Sequence, residues 1–130
     1  WQLSRAQGYF AATNYNGDAF LTRADVAAPI LSKLSETGLG FIFDGSVSAP
    51  SLAPLAKSAR LPYASGFALI DNNTDPTAIS QQLDRLTANA GAATIGVGFS
   101  YPQTIDAVKI WARTLPGNIA LAPASAALRP

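Results

Sequence analysis

The sequence contains no histidine and no cysteine in its 130 residues. The missing cysteine excludes disulfides, thiolate–zinc sites and thiol nucleophiles, and it leaves the redox compartment open. The missing histidine removes the commonest metal ligand and the commonest general base together. Serine is plentiful, yet no Ser–His–Asp triad can be completed within this chain. Charge is also scarce: Asp, Glu, Lys and Arg make up 13%, against a usual share of roughly 25%. Nine basic residues minus eight acidic ones leave a net charge of +1, so there is no basic field to hold nucleic-acid phosphates. No apolar run approaches the roughly 20 residues that span a bilayer. Aliphatic and aromatic types nevertheless supply 48%, which excludes a disordered chain. The first residue is Trp1 rather than Met, so the chain is expected to be a processed or partial piece of a longer one.

What is present is an alternation of short apolar runs with longer amphipathic stretches. Strands are expected at Gly8 to Thr13, Leu39 to Phe43, Tyr63 to Ile70, Ala93 to Val97 and Asn118 to Ala122. These runs are more nearly continuous than alternating, which suits parallel strands covered on both faces. Helices are expected between them. Thr22 is a candidate cap for a helix carrying Val26, Ile30 and Leu34, bent by Pro29 and stopped by Gly38. Pro50 opens a second helix, with Leu52, Leu55, Ala56 and Ala59 on one side. Asp75 and Pro76 give the clearest start signal, a capping Asp followed by Pro at the first helical position. Ile79, Leu83, Leu86 and Ala90 follow at helical spacing, and Gly91 ends that helix. Pro102 opens the fourth, with Ile105, Val108, Ala112 and Leu115 facing inward.

The order is βαβαβαβαβ, five parallel strands and four helices, read as a single α/β unit over residues 1–130. Two architectures fit it: an open sheet or a segment of a barrel. The low charge and the Ala- and Ser-rich helix faces favour the segment. Both architectures place their functional edge at the C-terminal ends of the strands. Asn14, Asp44 and Asp71 follow the first three strands, and Phe99 and Ser100 follow the fourth. Asp44 and Asp71 are two of only eight acids, both at the same point of the repeat. They are read either as a joint site or as caps of their own loops. Gly96-Val97-Gly98 lacks the third glycine and the later acid of a dinucleotide fingerprint. Trp111 is expected in the core.

These residues, taken in order, resemble one family. The stretches that carry the likeness are Thr13-Asn14-Tyr15-Asn16-Gly17-Asp18, Phe43-Asp44-Gly45-Ser46, Asp71-Asn72-Asn73-Thr74-Asp75-Pro76, Gly96-Val97-Gly98 with Pro102-Gln103-Thr104-Ile105, and Ile119 to Ala126. Together they resemble the divergent polysaccharide deacetylases, bacterial relatives of the NodB-type carbohydrate deacetylases. The resemblance implies a distorted (β/α) barrel with this chain as its C-terminal part. The first strands and the Asp-Asp metal motif would lie in a preceding part. It also implies a periplasmic or cell-envelope location. Active relatives remove acetyl groups from sugars with a divalent metal, typically zinc, held by one Asp and two His. Where many members carry His, this sequence has Tyr15 and Phe99. Phe cannot ligate zinc, and neutral Tyr is a poor ligand.

Three functions follow. One is a metal-dependent deacetylase of envelope glycans, with metal ligands from upstream residues and Asp44 or Asp71 as catalytic carboxylates. Another is a degenerate barrel that binds a glycan or a partner protein through Asn14, Tyr15, Phe99 and Ser100. The third is a purely structural piece. This chain by itself is expected to bring no metal site, no nucleic-acid surface and no membrane span.

Overall fold

The computed structural model describes residues 8–14, 18–91 and 94–128. Among them, strands β1 (Ala11–Thr13), β2 (Gly40–Phe43), β3 (Tyr63–Leu69) and β4 (Ile95–Val97) form one parallel sheet in sequential order. Helices α1 (Asp18–Leu21), α2 (Ala24–Glu36), α3 (Leu52–Ser58), α4 (Pro76–Ala88) and α5 (Pro102–Arg113) lie between and after the strands. The result is an α/β half-barrel with β1 and β4 at its edges.

Local chemistry explains most of these boundaries. Asp75 caps α4: its Oδ1 accepts the Thr77 and Ala78 N–H groups at 2.9 and 3.2 Å, and Pro76 follows at the first helical position. Ile79, Leu83 and Leu86 then fall on one buried face. In α3, Leu52 and Ala56 are buried one turn apart.

Four expectations need correction. No strand forms at Asn118 to Ala122; the chain there is irregular and ends in a 3₁₀ turn at Ala124–Ala127. A strand exists only through pairing, and β4 is paired only with β3 among the described residues. Thr22 does not cap α2. Its hydroxyl donates to the Ala19 carbonyl at 3.4 Å because the unforeseen helix α1 precedes it. The N-cap is Arg23, whose guanidinium pairs with Asp25 at 2.6 Å instead. The buried face of α2 is Ala27, Leu31 and Leu34, which leaves Ile30 exposed. On α5 the buried residue is Thr104, while Ile105 is exposed and Ala107, Val108 and Trp111 pack inward.

Two cores result. The larger joins Leu21, Leu31, Leu34, Phe41, Phe43 and Leu52 under α1, α2 and α3. The smaller joins Ile70, Ile79 and Leu83, with Val108 and Trp111 against it. Trp111 is core-packed as expected, and its indole N–H donates to Thr87 Oγ1 at 2.8 Å. On the other face of β2, the Leu128 side chain comes over Gly40: a Cβ there would lie 2.8 Å from Leu128 Cδ1.

Register sets the heights of the strand ends. Phe43 of β2 stands opposite Ser65 of β3, so Asp44 follows opposite Gly66. Leu69 stands opposite Val97 of β4, after an irregularity between Gly66 and Ala68. β3 therefore serves β2 with its first half and β4 with its second.

Candidate functional site at the strand ends

The polar residues expected at the C-terminal edge fall into two groups. In the first, Asn14 follows β1 and Asp44 follows β2. Asn14 Oδ1 accepts the Asp44 backbone N–H at 2.9 Å, which ties the two strand ends together. Asp44 Oδ1 accepts the Ser46 N–H at 2.9 Å, closing its own loop. Gly45, between them, has φ of 77°, a left-handed conformation that glycine adopts without cost. Asn14 and Asp44 are 9% and 3% exposed.

In the second group, Asp71 follows β3 and is 3% exposed. Its Oδ2 accepts two hydrogen bonds, from Phe99 N–H at 2.7 Å and from Thr104 Oγ1 at 2.9 Å. It thus fastens the β4–α5 loop to the end of β3. Gly98 in that loop has no room for a side chain, since a Cβ would lie 2.7 Å from Ile70 Cγ1. Phe99 is half-buried and its ring packs on Tyr101 at 5.8 Å between centroids, tilted by 57°. Ser100 is exposed. Tyr15 lies outside the described residues.

Asp44 stands opposite Gly66 of β3, and Asp71 lies two residues past Leu69, the last residue of β3, so the two groups are held on different loops.

Three buried side-chain polar atoms have no hydrogen-bond partner among the described residues: Asn14 Nδ2, Ser46 Oγ and Asp71 Oδ1. All three belong to the ends of β1, β2 and β3. Such orphans are rare because each costs about 1–3 kcal/mol. Two cavities, of about 370 and 200 Å³, open elsewhere, between α4 and α5 and beside the C-terminal segment. Neither is lined by Asn14, Asp44, Asp71 or Phe99.

Among the described residues, no group of three His, Cys, Asp or Glu side chains is close enough to hold an ion. Sequence reasoning passed over Ser46, Tyr101 and Thr104 as working residues. Thr104 carried a readable signal: a hydroxyl in the first turn of a helix just after a strand-end loop. Ser46 and Tyr101 carried none, since only packing reveals a buried orphan or a ring pair.

The curled parallel sheet with polar strand ends defines an α/β protein of the half-barrel class. The sequence profile of the divergent polysaccharide deacetylases matches residues 1–128, and the chain belongs to that family. It is similar to the crystal structure of an uncharacterized protein from Agrobacterium tumefaciens C58. The TM-score is 0.74 and the identity 28%, over 81% of this chain and 44% of that one. The chain thus spans less than half the length of that relative. No curated protein matches it. No helix among the described residues is long and apolar enough to cross a membrane.

Proposed function

We propose that this chain is the C-terminal part of a deacetylase-like barrel of bacterial carbohydrate metabolism, in the cell envelope, that binds a glycan at its strand-end cleft without supplying metal chemistry. The observation that carries this reading is that the three buried polar atoms without a partner among the described residues all lie at the strand ends. They comprise an amide donor, a hydroxyl that can donate or accept, and a carboxylate acceptor. That mixture suits the hydroxyls and acetamido groups of a sugar better than it suits a cation. Phe99, where many relatives carry His, contributes a ring face instead of a ligand.

A second reading rests on Asp71. A buried carboxylate oxygen without a donor can accept a proton or a hydrogen bond from a group supplied elsewhere. In that case the whole protein is an active deacetylase whose metal ligands all come from outside this chain.

Titration of the intact protein with N-acetylated envelope oligosaccharides separates the readings. Binding that is lost in the Asp44→Asn, Asp71→Asn double variant, with no acetate released by the parent, supports the binding role. Acetate release that depends on added zinc supports the enzyme. Unchanged glycan binding in the double variant removes this site from consideration.

A further inference from the structure

We propose that the outer face of helices α4 and α5 is a self-association surface, where Ile110 of one copy enters the groove of a second copy and Arg113 of each pairs with Asp106 of the other. This does not depend on the glycan reading above.

The groove lies between the two helices and has a volume of about 370 Å³. Short side chains leave that space open: Ser80 lines it from α4 and Ala107 from α5. One wall is the half-buried ring of Trp111, held in place by its N–H bond to Thr87 Oγ1 at 2.8 Å. Ile110 stands at the same groove and is 66% exposed, more than any other large aliphatic side chain among the described residues. An apolar knob and a hole with room for it thus share one surface.

The charges on this face point to a second copy as the occupant. Asp84 and Asp106 line the groove, and no Lys or Arg does. Arg113 comes three residues after Ile110 and is exposed. Among the described residues neither Asp84 nor Arg113 has an ion-pair partner, and Asp106 has only Lys109 of its own helix, at 3.6 Å. A face that carries the knob, the hole, the acid and the base is complementary to itself. Two α5 helices crossing antiparallel at Ile110 bring Asp106 of one copy beside Arg113 of the other, and a two-fold axis makes that pair twice. Exposed ion pairs add little affinity, so burial of Ile110 supplies the attraction and the charges set the direction of the crossing.

The test is sedimentation equilibrium of the intact protein over a concentration series reaching about 1 mM. A monomer–dimer equilibrium is expected. Ile110→Asp should weaken it at least about 10-fold and leave the melting temperature of the monomer unchanged. Arg113→Asp should weaken it roughly 2–10-fold, and adding Asp106→Arg to that variant should restore it. A protein that stays monomeric throughout the series overturns the proposal, as does a dimer that Ile110→Asp leaves intact. A dimer that the charge swap does not restore overturns the antiparallel crossing. In a monomeric protein, a lower melting temperature for Ile110→Asp would assign the groove to another segment of the same protein. Binding of a basic amphipathic peptide, lost in that variant, would assign it to a different partner.

Discussion

Gly45 and Gly66 meet backbone to backbone, and neither has room for a side chain. A Cβ on Gly45 would lie 2.6 Å from the Gly66 carbonyl oxygen, and one on Gly66 would lie 2.8 Å from the Asp44 carbonyl oxygen. This contact seats the Asp44 loop on β3. Gly66→Ala is expected to destabilise the protein by about 1–3 kcal/mol, the usual cost of overpacking. Gly45→Ala should cost more, because its φ of 77° adds backbone strain. Thermal or urea melts of the two variants check both values.

Asp71 and Asp75 sit four residues apart and do different work. Asp75→Ala removes a helix cap and should cost about 0.5–2 kcal/mol. Asp71→Ala removes the carboxylate oxygen that accepts from both the Phe99 N–H and the Thr104 hydroxyl, and should cost about 1–3 kcal/mol. Asp71→Asn keeps an acceptor oxygen and should be milder. If Asp71→Ala melts like the parent, the clamp on the β4–α5 loop is not what holds it.

Tyr63 gives the fold an alkaline limit. It is half-buried against Phe41, with ring centroids 6.3 Å apart. Burial raises its pKa above the ordinary 10.0, a shift partly opposed by a hydrogen bond with Ser65. The folded state therefore favours the neutral phenol. That contribution is fully present below pH 10 and is lost as pH rises through the higher folded value. Tyr63→Phe is expected to lose less stability than the parent between pH 9 and 11. Parallel pH-dependent melts read the difference.

Among the described residues β1 and β4 are the edges of the sheet, which forecasts the behaviour of residues 1–130 in isolation. Unpaired strand edges invite association, and Tyr9 and Phe10 beside β1 are exposed. The isolated chain is expected to self-associate or melt broadly in sedimentation and calorimetry. A cooperatively melting monomer would contradict this.

The sequence made the strand–helix order legible where polar and apolar signals agree, as at Asp75-Pro76 and in the Phe41 to Phe43 run. It also marked Asn14, Asp44, Asp71 and Phe99 as strand-end residues. It did not reveal that Asp44 is tied to Asn14 while Asp71 is tied to Phe99 and Thr104, because those bonds join residues about thirty positions apart that only strand pairing brings together. Asn118 to Ala122 has the composition of a strand but no pairing partner among the described residues. Ile30 fits a helical stripe that begins at Val26, yet helix α2 turns Ala27 and Leu31 inward instead.

β3 pairs with β2 through Tyr63 to Ser65 and with β4 through Gly66 to Leu69, and its ladder is irregular between Gly66 and Ala68. Mechanically, that spot is a joint between two blocks that each carry their own interior. Pulling on the ends, or adding denaturant gradually, should part the blocks there before either one melts. Amide exchange would then separate into two rates, one for residues around Leu31 and Phe43 and another for those around Ile79 and Leu83, with the boundary inside a single strand.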